Sequence, residues 1–398
     1  MKKSTIAFIF ILLILTILLG YNYFTRPFYE KLTTEVEQKI ETEEEKDKVN
    51  SEGKEGALEH KIDLSQVAVE EKVAHLVAAP LVVDADLALG FSDDNNLTFI
   101  QKYKPGLVTL FGENISKNSA QLAIAKVRAN YSDSNYQPVI AVDHEGGSVQ
   151  RLRGRGFSEL PSWQKMCETE TKVSLEIFAK SAKELAEIGI NVVYAPVLDV
   201  SENNSILKTR VCPDYDKALD TAYEYINAFA DHRIMSVIKH FPGIGNIKKD
   251  LHNKTEEVEI NIEDALMFQR MLNKYPNIGV MTAHIKLKDK LDGLPCSLSS
   301  VCLREFVSTY QEAIVFTDAL DMKSALEKGD GSERTLSEVS VEAIMAGNDV
   351  LVYGEGVTAQ ELETVMNDLI KEYEANEEFK SKADDSVRKL LKLRVAEE

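Results

Sequence analysis

From Ile62 onward, short apolar runs alternate with amphipathic segments, and the alternation is kept up through eight runs. No other feature of the chain limits its fold as strongly. The runs are Leu76 to Val83, Gly106 to Phe111, Val139 to Val142, Asn191 to Ala195, Ser236 to Ile238, Ile278 to Thr282, Ala313 to Thr317 and Val350 to Tyr353. Between them, Ala120 to Tyr131, Lys172 to Ile188, Lys217 to His232, Glu263 to Tyr275 and Ser337 to Ala346 repeat their apolar residues at spacings of three and four, the signature of a helix with one buried face. Strand-like runs alternating with such helices point to parallel βα units. Eight units in about 330 residues predict an α/β protein whose residues 62–398 form a (β/α)8 TIM barrel.

The ends of the runs carry polar residues: Asp143-His-Glu-Gly-Gly, Asp199, Lys239-His240, Thr282-Ala-His284 and Thr317-Asp318. A (β/α)8 barrel builds its site at the C-terminal ends of its strands, so these side chains are expected to converge. The densest group follows the fifth run, where Lys239-His-Phe-Pro-Gly-Ile-Gly leads into Asp250 and His252. A carboxylate two residues from an imidazole can accept its Nδ1–H, fix the tautomer and raise the basicity of the other nitrogen. Such a pair can shuttle protons. The tripeptide Asp-x-His is common in solvated loops, so the motif gains its meaning from its position.

Lys-His-Phe-Pro-Gly-x-Gly, followed at this distance by Asp-x-His, resembles the signature of family 3 glycoside hydrolases, in their β-N-acetylglucosaminidase branch. Asp143-His-Glu-Gly-Gly-Ser-Val-Gln-Arg151 is similar to the family's D-x-E-G-G-x-V-x-R segment. The resemblance implies that Asp143 and Arg151 bind the sugar, together with Lys239 and His240. Arg210 corresponds to a further arginine of the family, although Val211-Cys212 replace the residues that normally follow it, and Ile244 stands where the loop commonly has a second His. Thr317-Asp318-Ala-Leu-Asp-Met322 resembles the segment that carries the nucleophile, which makes Asp318 the expected nucleophile, His252 the general acid/base and Asp250 its orienter.

The expected function is hydrolysis of terminal GlcNAc from cell-wall glycans through a covalent glycosyl-enzyme, with no metal or organic cofactor. Rivals are another β-glycosidase or a glycoside phosphorylase of the same superfamily, and a non-catalytic glycan-binding protein of the cell surface. A net charge of -19 argues against nucleic acid as a partner. The oligomeric state is not legible.

The N-terminus reads differently. Lys2 and Lys3 precede an uncharged run from Ser4 to Thr25, which predicts a membrane-spanning helix within residues 1–29. The Glu/Lys-rich stretch 30–61 cannot bury enough apolar surface to fold alone and is expected to be a tether, which would place the barrel outside the membrane. A cleaved, secreted form is the competing reading. Cys167, Cys212, Cys296 and Cys302 could pair in any of three ways, their spacing selects none, and unpaired core cysteines are the expectation.

Overall fold

The computed structural model of the protein describes residues 63–84, 96–259, 261–288 and 292–395. Each of the eight apolar runs overlaps a strand, and the fifth strand extends beyond its run at both ends: β1 (Val77–Val82), β2 (Leu107–Phe111), β3 (Val139–Val142), β4 (Val192–Val193), β5 (Met235–Phe241), β6 (Gly279–Thr282), β7 (Ile314–Thr317) and β8 (Leu351–Val352). Neighbours in sequence pair in parallel, and β1 pairs with β8. A parallel bridge between Phe316 and Val350 links β7 to β8 and closes the ring. Strands in such a ring are covered on both faces, which is why their sequences read as unbroken apolar runs instead of alternating.

Each strand is followed by a helix: α1 (Leu97–Tyr103), α2 (Lys117–Ala129), α3 (Thr171–Ala186), α4 (Tyr215–Ala230), α5 (Ile262–Lys274), α6 (Ser300–Thr309), α7 (Leu336–Ala346) and α8 (Ala359–Ala375). Helices Val69–His75 and Glu377–Val395 precede and follow the barrel. Two starts are fixed by reciprocal caps, in which the Thr335 and Thr358 hydroxyls accept from Glu338 and Glu361 amides while those glutamates reach back. β4 is shorter than its apolar run because Pro196, with no N–H to donate, interrupts the ladder. Inside the ring, Tyr194 packs edge-on to Phe316 and shares a 2.8 Å hydrogen bond with Thr109, so the barrel centre is filled.

Two expectations are corrected. The membrane-spanning helix and the tether fall on residues 1–61, outside the described residues, and among the described residues no helix is long and apolar enough to cross a membrane. The longest described helix, Glu377–Val395, carries acidic and basic residues along its whole length. The described architecture is the barrel with its two flanking helices, and none of it supports the expected membrane-spanning helix, the membrane as a partner or the membrane-anchored, extracytoplasmic placement. The cysteines, for their part, are all paired, Cys167 with Cys212 and Cys296 with Cys302.

Candidate active site

At the C-terminal ends of the strands lies a cavity of about 410 Å³ whose walls include Asp143, Arg151, Arg210, Lys239, His240, Asp250, His252 and Asp318. All eight residues singled out from the sequence thus meet in one place. Asp321, Met322 and Glu355 also line it, beside an apolar wall of Ile206, Leu207, Ile244 and Ile247.

Asp318 is the first residue after β7, and its backbone is pinned by a hydrogen bond from its N–H to the Thr282 carbonyl at 3.0 Å. Its carboxylate accepts from the Ala319 N–H at 2.8 Å. The next helical turn begins only at Lys323, with Met322 as its cap, so Asp318 is not a helix cap. Burial pushes the Asp318 carboxyl up, but His240, His284, the Ala319 N–H and Lys239 outweigh it, and the group is held below its ordinary value. It stays ionised at neutral pH. His284 is framework: Nδ1 bonds to Ser297 Oγ at 2.6 Å and Nε2 to the Ala319 carbonyl at 3.0 Å, which leaves no ring nitrogen for a ligand.

The opposite wall is a line of ion pairs. Arg151 Nε lies 3.8 Å from Asp143, Asp143 accepts from Lys239 Nζ at 3.0 Å, and Lys239 reaches Glu145 at 2.6 Å. Glu145 in turn takes both hydrogen bonds of a bidentate pair from Arg210, each 2.8 Å long. Arg151 comes back to Asp143 because the chain folds into a short hairpin, His144–Gly146 against Val149–Gln150, whose turn needs Gly146 and Gly147 at positive φ. A Cβ on Gly147 would sit 2.8 Å from Ser162. Glu145 belongs to the polar segment that follows the third run, and its role shows only in these contacts. Burial raises the Glu145 carboxyl, yet Arg210 and Lys239 hold it far below the usual range; burial lowers Lys239, and Glu145 and Asp143 reverse that.

Lys239 and His240 are adjacent on β5, and neighbours on a regular strand face opposite ways. Both line the cavity because the pairing of β5 with β6 shifts register between Lys239 and Phe241. His240 is fixed by Asp199, whose Oδ2 takes the Nδ1–H at 2.7 Å and the backbone N–H at 3.2 Å. The other oxygen of Asp199 accepts from the Ile244 N–H at 2.7 Å, so one buried carboxylate holds both the histidine and the start of the next loop.

That loop carries the dyad. His252 Nδ1 and Asp250 Oδ1 are 2.8 Å apart, and Asp250 also accepts from the His252 N–H and from Asn253 Nδ2, both at 3.0 Å. Burial pushes the Asp250 carboxyl up, and the bonds and charge of His252 bring it below its ordinary value. The His252 side chain is 70% exposed, unlike Lys239 and His240 deeper in the cavity. An imidazole at the mouth, an ionised carboxylate below it and a ring of charged hydrogen-bonding groups can bind a polyhydroxyl molecule and work on a bond at the rim.

Comparison with known proteins points to one family. Residues 68–393 match the Glycosyl hydrolase family 3 N terminal domain. A beta-hexosaminidase of Tolumonas auensis is 30% identical over 259 residues, 62% of this chain and 75% of that protein; one from Haemophilus influenzae strain Rd is 33% identical over 228 residues, 54% and 63%. In structure, the beta-N-acetylhexosaminidase of Beutenbergia cavernae superposes with a TM-score of 0.73 at 21% identity, covering 83% of this chain and 99% of that one, a likeness of fold. With the family's domain spanning nearly the whole barrel, the chain belongs to glycosyl hydrolase family 3, in its β-hexosaminidase branch, and is a glycoside hydrolase.

Proposed function

We propose that the protein is a retaining exo-β-N-acetylglucosaminidase that removes terminal GlcNAc from cell-wall glycans by double displacement. The observation that carries this reading is the meeting, in one cavity, of an ionised carboxylate at the end of β7 and a paired Asp250–His252 at the rim. In the first step Asp318 attacks the anomeric carbon while the protonated His252 gives its Nε2 proton to the departing oxygen. In the second, neutral His252 takes a proton from water, which attacks the same carbon and frees Asp318. Asp250 keeps Nδ1–H in place throughout, so that the other nitrogen does the transfer. Asp143, Arg151, Arg210, Lys239 and His240 offer the charged donors and acceptors that bind vicinal hydroxyls. A cavity of about 410 Å³ is near the small end of ligand sites, which run from about 300 to 1,000 Å³, and suits a terminal sugar better than the middle of a chain.

A second reading, a family 3 phosphorylase, is favoured by the acid/base itself. A neutral imidazole does not repel a phosphate anion as a carboxylate does. Turnover of aryl β-GlcNAc and aryl β-glucoside, each with and without phosphate, separates the readings. The expected result is GlcNAc selectivity with free sugar as product; glycosyl phosphate formed in preference would make the enzyme a phosphorylase. Loss of GlcNAc selectivity would leave a broader β-glycosidase. An activated fluorosugar should label Asp318, and a label on Asp321 instead would overturn the double-displacement assignment.

A further inference from the structure

The sugar-binding wall holds more than its hydroxyl ligands require. Arg151, Lys239 and Arg210 bring three positive charges to it, and the two carboxylates linked to them in the line of ion pairs are Asp143 and Glu145. Asp143 remains partly open to the cavity, with 17% of its side chain exposed, whereas the Glu145 side chain is wholly buried. Both Glu145 oxygens are engaged: Oε1 by Arg210 Nη2 and Lys239 Nζ, Oε2 by Arg210 Nε. A carboxylate so placed has little left to offer a hydroxyl. It does, however, offset one of the two positive charges that Arg210 and Lys239 bring behind the cavity.

From this arrangement we infer that Glu145 is a specificity-determining residue that makes the sugar pocket reject anionic sugars such as hexuronic acids. This rests on the glycosidase reading above. Without Glu145, Arg210 would lose its carboxylate partner while Lys239 kept only Asp143, leaving an excess positive charge and an open guanidinium edge that would receive a carboxylate strongly, because guanidinium binds carboxylates bidentately and unlike charges attract strongly in a low-dielectric site. With Glu145 in place, the Nε/Nη2 edge of Arg210 is already taken. A sugar carboxylate would meet Glu145 and Asp143 as like charges, and rejection of a wrong ligand by an unfavourable charge is an effective route to selectivity. Neutral hydroxyls lose nothing, since Lys239 has a third proton to donate and Asp143 has acceptor capacity left.

The test uses GlcNAc and glucuronate as ligands, measured by competitive inhibition and, independently of turnover, by calorimetry. Wild-type protein should bind GlcNAc at least a hundredfold more tightly than glucuronate. In Glu145→Gln, which keeps the shape and removes the charge, glucuronate should tighten at least tenfold while GlcNAc weakens. A purely structural Glu145 would weaken both ligands alike and leave their ratio unchanged, and that result in folded Glu145→Gln would overturn the inference. If the variant does not fold, the wild-type ratio decides: glucuronate bound as tightly as GlcNAc overturns it, and the hundredfold preference supports it. Binding of neither sugar to the wild type would overturn the glycosidase reading itself, an outcome distinct from a failed ratio.

Discussion

His252 and Asp250 make a prediction that turns on the basicity of the leaving group. A nitrophenolate departs almost unaided, whereas a sugar alkoxide needs its proton in the transition state, a contribution of roughly 10²–10⁴-fold. His252→Ala should therefore cripple cleavage of a GlcNAc disaccharide. It should spare the first step on nitrophenyl GlcNAc, so that the glycosyl-enzyme accumulates and rapid mixing shows a burst. Asp250→Ala should give a milder version, since the imidazole stays but loses its fixed tautomer. Equal losses on the two substrates in folded protein, with no burst, would sink the acid/base role. These two residues were legible because their partnership is local, two positions apart in one loop. Glu145 and Asp199 stand among the polar residues at the run ends, but their roles were not legible, for these lie in contacts with Arg210, Lys239 and His240 that only the closed barrel brings near. Arg210 shows the intermediate case: Val211-Cys212 differ from the pattern, yet Cys212 is tied to Cys167 and the guanidinium still reaches the cavity.

The loop from Gly243 to Asn253 carries the dyad and has little regular structure. Its order comes from its neighbours. Asn204 Nδ2 donates to the carbonyls of Gly245 and Ile247, at 2.8 and 2.9 Å, while its Oδ1 accepts from the Ile206 and Leu207 N–H groups. At the far end, the carbonyls of Leu251 and His252 accept from the Ser324 and Lys323 N–H groups, which follow Asp318 in sequence. The loop is thus fastened both to the β4 loop that bears Arg210 and to the chain just beyond Asp318. Hydrogen bonds of this kind contribute about 1 kcal/mol each. Asn204→Ala should accordingly speed amide exchange across residues 245–252 by roughly tenfold or more, and lower turnover of the disaccharide more than that of the nitrophenyl glycoside. Unchanged exchange in this segment would show that Asn204 is not its fastening. Strands were easier to read than helices, because both barrel faces are buried and the apolar runs are continuous. Helices α1, α6 and α8 lie outside the segments whose periodicity predicts helices, although Thr358-x-x-Glu361 is a readable capping signal for α8. Ile244 changes the loop without emptying it: the side chain is buried against the cavity wall, and its N–H is held by Asp199.

For the whole molecule, closure of the ring followed from counting eight runs, while the pairing of the cysteines could not, since it depends on distances across the fold. The charge balance of the folded state was equally hidden, and it leads to a prediction about stability. Glu145, Asp318 and Asp250 titrate below their ordinary values in the folded protein. They contribute stability above the unfolded carboxylate range near pH 4, and lose it as pH falls through their folded values. Asp264 on α5 has the opposite sign. It is 3% exposed, packed against Gly243 and bonded to Tyr215, and burial together with the charges of Asp199 and Glu263 raises its pKa to about 7 despite the Tyr215 hydrogen bond. Between about pH 4 and 7 the folded chain keeps a proton that the unfolded chain releases. Its stabilising effect is full below pH 4, declines as pH rises through that window and is gone above pH 7, where the buried carboxylate is charged. Asp264→Asn cannot ionise and still offers an oxygen to the Tyr215 hydroxyl. It should match the wild type near pH 4 and exceed it at pH 8 by an amount on the order of 2–4 kcal/mol, the upper figure being the full three-unit shift at about 1.4 kcal/mol per unit. Denaturant unfolding of both proteins at pH 4, 6 and 8 measures this directly. The difference should open steadily with pH, and a gap that is constant across the three, or that widens toward pH 4, would show that Asp264 is not the group whose burial limits stability at neutral pH.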